Sequence, residues 1–109
     1  MADMMLATKA DYDAAVEATK DGGKPLVLDF TATWCPPCQR IGPIFVNHAS
    51  EYPELTLKKV DVDANAEAAQ AAGIQCMPTF KVFKNGECVK TMEGASPDGL
   101  KAMLDEAKA

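Results

Sequence analysis

The chain alternates between short apolar runs and amphipathic stretches. Leu26-Val27-Leu28-Asp29-Phe30 is apolar at every position but Asp29, the pattern of a strand covered on both faces. Leu55 to Val62 predicts a second strand. Thr79 to Phe83 and Cys88 to Met92 flank Lys84-Asn85-Gly86-Glu87, and the central Asn-Gly favours a tight turn that makes these segments an antiparallel hairpin. Met4 to Ala7 is a weaker apolar segment, a further strand if it pairs. Between these runs the period changes. Tyr12, Ala15, Val16 and Thr19 recur at helical spacing behind Thr8 as N-cap, and Asp21-Gly22-Gly23-Lys24-Pro25 ends that helix. From Pro37 to Tyr52 the residues Ile41, Ile44, Phe45, His48 and Tyr52 form one stripe, with Gln39, Arg40, Asn47, Ser50 and Glu51 polar. Pro43 within it removes one backbone hydrogen bond and predicts a kink. Asp63-Ala64-Asn65 opens an alanine-rich helix that stops before Gly73. Ser96 caps a last helix with Pro97 at its first position and Leu100, Met103, Leu104 and Ala107 on its buried face.

Strand and helix thus alternate as β-α-β-α-β-α-β-β-α if the first weak segment pairs. Alternation implies parallel pairing through crossover helices, and the hairpin adds antiparallel pairing. The expected class is α/β, a central mixed β-sheet of four to five strands flanked by helices on both faces. A chain of 109 residues, 48% hydrophobic and 25% charged, has the size and balance of one domain over residues 1–109. A net charge of −5 leaves no basic surface to neutralise phosphates or hold an anionic membrane, so neither nucleic acid nor membrane is an expected partner. No apolar run approaches membrane-spanning length. Met1 to Leu6 carries an acid and too short an apolar stretch for a signal peptide. Cysteines at 35, 38, 76 and 88 without an export signal point to a reducing, cytoplasmic setting.

In such a setting a Cys-x-x-Cys pair does redox or metal chemistry. Trp34-Cys35-Pro36-Pro37-Cys38 follows directly on the Leu26–Phe30 run and precedes a helix, a context for reversible redox chemistry. Zinc is the other reading, but Cys76, Cys88 and His48 do not supply a second closely spaced pair, and no metal is expected. Cys35 would sit at the helix start, where unpaired N–H groups and the dipole favour a thiolate. It is the expected nucleophile, and Cys38, one turn in and shielded, the resolving thiol. Asp29, interrupting an apolar strand, would have a raised pKa and could take a proton from Cys38; alternatively, the strand end tilts it into solvent.

The order of elements, Trp34-Cys35-x-Pro37-Cys38, Asp29 upstream, Met77-Pro78-Thr79-Phe80 downstream and Gly94-Ala95 after the hairpin together resemble the thioredoxin family over nearly the whole chain. Cys76-Met77-Pro78 and Val60-Asp61-Val62-Asp63 resemble the animal-type cytosolic members in particular. The resemblance implies a thioredoxin fold, reduction of protein disulfides without a bound cofactor, and electrons from NADPH through thioredoxin reductase. It gives Asp29 the proton-accepting role, makes Lys59 a buried lysine near it, and makes the bond before Pro78 cis. Met77 would then lie beside Cys35 and offer its backbone to an extended substrate. Trp34, Ile74, Met77, Pro78, Gly94 and Ala95 form the expected docking surface.

Cys76 beside that surface is either a regulatory thiol, able to link an otherwise monomeric protein into a dimer, or a passive one. Cys88 is expected to be a packing residue, and His48 a satisfied core-edge histidine. Pro36 departs from the family's usual glycine. It removes a backbone donor near Cys35, and Pro37 after it resists helical geometry, so the helix either begins one residue late or has a strained first turn. With Pro37 and Lys59, Pro36 is an expected tuner of the site. Two other readings stay open: a thioredoxin-fold isomerase or oxidant domain, and a non-catalytic binding module.

Overall fold

The structure is a computed structural model describing residues 4–109. Its elements run α1 (Lys9–Glu17), β1 (Leu26–Thr31), α2 (Pro36–Glu51), β2 (Thr56–Asp61), α3 (Ala66–Ala72), β3 (Thr79–Lys84), β4 (Glu87–Glu93) and α4 (Pro97–Lys108). The strands form one mixed sheet in the order β2-β1-β3-β4. β1 pairs parallel with β2 and antiparallel with β3, and β3 pairs antiparallel with β4. Central β1 is buried at all six positions, the polar Asp29 and Thr31 included.

Side chains along a strand alternate between faces, so β1 divides its residues between two cores. Val27 joins Leu57, Phe80 and Val82 under Ile41 and Phe45 of α2 and Leu100 and Leu104 of α4. Leu26, Leu28 and Phe30 join Val60 and Phe83 under Tyr12 of α1 and Ala68 of α3. Helices therefore cover both faces, and Asp29, two residues from Val27, is on the α2 face. At the far end of α2, the Tyr52 hydroxyl donates to Asp105 Oδ1 of α4 at 2.5 Å. His48 is the expected core-edge residue, its Nδ1 2.6 Å from Glu51 Oε1 and its ring edge-on to Tyr52.

Expected caps recur as Thr8, Asn65 and Ser96, each accepting a backbone N–H through its side chain. Asn85 and Gly86 both have positive φ, 52° and 83°, as the tight hairpin turn requires. α2 runs through Pro43 for sixteen residues. Two expectations are corrected, and one falls partly outside the described residues. Met4–Ala7 contributes an isolated parallel bridge, Met5 with Lys59, instead of a strand, so the described residues hold four strands. The first three residues of the expected leader-free N-terminus lie outside those described. Cys88 is exposed instead of packed, because β4 is the edge strand and is exposed at every position but partly buried Met92.

Phe45 and Phe80 are fully buried with ring centroids 5.7 Å apart, joining α2 to the sheet. Phe45→Ala is expected to cost about 3–5 kcal/mol, read from the midpoint of denaturant unfolding.

Candidate redox site

The carboxyl end of β1 delivers the chain through buried Ala32 and exposed Trp34 to Cys35, the N-cap of α2. The Cys38 amide donates to Cys35 Sγ at 3.3 Å, so the sulfur stands where a capping oxygen would. Cys35 and Cys38 are joined by a disulfide with their Cα atoms 5.3 Å apart. Both are buried, Cys35 at 5% exposure and Cys38 at 1%, so Cys38 is the more shielded, as expected. Pro36 is the first helical residue; the helix does not begin late. Neither Pro36 nor Pro37 has an N–H to give, which leaves the amides of Cys38 and Gln39 as the donors turned back on Cys35.

Asp29 is fully buried, and among the described residues neither carboxylate oxygen has a hydrogen-bond partner. Burial pushes its pKa up to about 7, against a downward pull from the Lys59 charge. The solvent-facing alternative is thereby excluded. Lys59 is its register neighbour on β2 and lines a cleft of about 340 Å³ with Cys38, Gln39, Gly42, Pro43, Val46 and Asn47. A space of that size admits water beside the Cys38 sulfur. A carboxyl titrating near neutrality can accept a thiol proton and later release it.

On the other side, the Met77–Pro78 bond is cis and Met77 packs against the cluster of Ala32, Cys35 and Cys38. The Gly94 amide donates to the Pro78 carbonyl at 2.9 Å, tying the loop after β4 to the start of β3. Gly94 has φ +102°, a conformation open to glycine and strained for other residues. Trp34 is 63% exposed. Ile74 is placed differently from the rest, packing against the core under α1 and α3, and Ala95 rests on the α2–α4 core. Cys76 is exposed and free, its carbonyl accepting from Thr79 Oγ1 at 2.6 Å.

Three contacts escaped the sequence reading. Trp34 Nε1 donates to Asp63 Oδ2 at 2.7 Å, Gln39 Nε2 donates to the Ala32 carbonyl at 2.8 Å, and Val62 packs against the cysteines. The Ala32 carbonyl also accepts the Cys35 amide, so Gln39 braces the turn from within the helix. Its place one residue past Cys38 was the available signal. Among the described residues no three His, Cys, Asp or Glu side chains gather where they could hold a metal ion, and no helix is long and apolar enough to cross a membrane.

Residues 3–106 match the sequence model of the family described as Thioredoxin. A thioredoxin of Geodia cydonium is 49% identical over 105 residues, covering 94% of this chain and 96% of that protein. An H-type thioredoxin of Chlamydomonas reinhardtii is 46% identical, covering 93% and 90%. The X-ray structure of Fasciola hepatica thioredoxin superposes with a TM-score of 0.89 at 39% identity, covering 94% and 97%.

Proposed function

Because the chain belongs to the thioredoxin family and is a thioredoxin-type disulfide reductase that needs no bound cofactor, we propose how its own residues divide the work. In the reduced protein the Cys35 thiolate attacks one sulfur of a substrate disulfide, forming the Cys35–substrate bond and releasing the other substrate sulfur as a thiolate. Cys38 gives its proton to Asp29, directly or through water, and its thiolate attacks Cys35. The second substrate thiol leaves, and Cys35–Cys38 closes as a disulfide. Two electrons have then passed to the substrate. The observation that carries this reading is the buried Asp29 carboxyl, unpartnered among the described residues, on the strand that leads into a disulfide at the helix N-cap.

Substrates in this reading are disulfide-containing proteins, docked by Trp34, Ile74, Met77, Pro78, Gly94 and Ala95. Thioredoxin reductase returns the electrons from NADPH. Residues 1–109 act as one domain and as a monomer, with Cys76 the thiol that links two copies under oxidation. The Cys35-Pro36-Pro37-Cys38 centre belongs to an animal-type cytosolic thioredoxin, and the compartment is the cytoplasm. Pro36, Pro37 and Lys59 set the poise of the pair, the prolines by withholding donors from Cys35 and Lys59 by its charge near Asp29.

Equilibration with glutathione tests the direction of electron flow. A reductant with a potential near about −270 mV keeps its disulfide even in a large excess of reduced glutathione. A potential near about −180 mV or above would favour the isomerase or oxidant reading instead. Pro36→Gly restores one donor and is expected to shift the equilibrium measurably; identical potentials would remove Pro36 from the tuning residues.

A further inference from the structure

The one arginine of the chain stands two residues past Cys38. Arg40 lines a groove of about 250 Å³ with Ile41 and Ile44 of α2 and with Ala95 and Pro97 on the loop into α4. Its guanidinium is exposed, and among the described residues it has no hydrogen-bond or ion-pair partner. Four of the ten lysines, Lys9, Lys20, Lys90 and Lys101, pair with an acid; Arg40 does not. No acidic side chain lines the groove. A free cation beside apolar walls is therefore kept on a protein whose net charge is −5.

One wall of the groove is the helix that begins at the redox pair. A helix rises about 1.5 Å per residue, and residues four apart share a face. Arg40 therefore follows Pro36, and Ile41 follows Pro37, one turn beyond the disulfide. On the opposite wall Ala95 adjoins Gly94, whose amide is bonded to the Pro78 carbonyl. A segment lying across Cys35 and leaving along α2 passes between these walls.

We propose that this groove selects among substrates, receiving an extended segment next to the scissile disulfide that presents an apolar side chain to Ile41, Ile44 and Pro97 and an acidic side chain to Arg40. This rests on the reductase reading and adds a chemical preference to it. Apolar walls alone would accept any hydrophobic residue. The free guanidinium, able to meet a carboxylate in a two-pronged bond, favours acidic partners in particular.

The test uses the reduced full chain, freed of reductant, mixed in single turnovers with two disulfide peptides differing only in a flanking Glu or Lys. The rate constant and the half-saturating peptide concentration are read separately. The wild type is expected to favour the Glu peptide by about threefold or more, the range of one partly screened ion pair, through the half-saturating concentration and not the maximal rate. Arg40→Lys keeps the direction of the preference, and Arg40→Glu reverses it. The preference shrinks at about 1 M salt, where screening extends only about 3 Å. Equal rates with both peptides, or a preference that Arg40→Glu leaves intact, overturn the groove proposal while the reductase reading stands. Failure of the wild type to reduce either peptide overturns both.

Discussion

Cys35→Ser and Cys38→Ser each lower multiple-turnover reduction of a protein disulfide by about three orders of magnitude or more, because each removes one of two sulfurs that act in sequence. The two failures differ in kind. Without Cys35 the remaining Cys38 thiol, 1% exposed, meets substrate poorly and nothing accumulates. Without Cys38 the attack proceeds and stops at the mixed disulfide. An insulin-type turnover assay with reductase and NADPH reads the common loss. Equal partner binding with no turnover in either the intact protein or Cys35→Ser would favour the binding-module reading, whereas turnover like the wild type in both variants would leave the pair idle. The exposed thiols Cys76 and Cys88 then become the alternative centres.

Asp29→Asn is expected to uncouple stability from pH and to slow resolution. In the unfolded chain an aspartate titrates near about 3.9, whereas burial raises the native carboxyl to about 7. Between those values the native state binds the extra proton, so stability falls as pH rises from about 4 and the loss is complete above about 7. A gap of about three units corresponds to about 4 kcal/mol at pH 8. The isosteric amide never ionises but still buries polar atoms, at a cost of about 1–3 kcal/mol. Asp29→Asn is therefore expected to be more stable than the wild type at pH 8 by about 2 kcal/mol, with no gain at pH 4. Reduction at pH 7 should fall about tenfold or more, recovering above the ordinary cysteine pKa of about 8.5 as Cys38 ionises unaided. Denaturation curves at pH 4, 6 and 8 check the first half. Parallel pH dependences in the two proteins would mean that Asp29 does not titrate as a buried acid.

Most of what positions this site is written in local sequence. The apolar run at Leu26–Phe30 marks the buried central strand, Asn85-Gly86 the hairpin, and Thr8, Asn65 and Ser96 the helix starts, because each acts within a few residues of itself. The interruption at Asp29 was legible as an anomaly. Its face was not, since that depends on which helices cover Val27. Cys88 was misread for a related reason: β4 is exposed on both faces except at Met92, which local alternation does not show, and the register shift beside Val82 leaves Val89 out of the pairing. No short-range signal marks such a bulge. Met4–Ala7 had the composition of a strand and too little length to form more than one bridge. Trp34 with Asp63 joins residues 29 apart, and no spacing rule reports contacts of that kind. Ile74 keeps its place in the proposed docking surface, but its packing on the α1–α3 core joins residues far apart in the chain and was not legible in the sequence.

The account turns on Cys35 as the sulfur that meets substrate. The most direct measurement incubates reduced Cys38→Ser with a disulfide-containing protein or peptide, digests the product without reductant and identifies the sulfur that holds the substrate by mass. The expected product is a one-to-one adduct through Cys35. An adduct through Cys76 or Cys88, or no adduct at all while the wild type remains active, would contradict it.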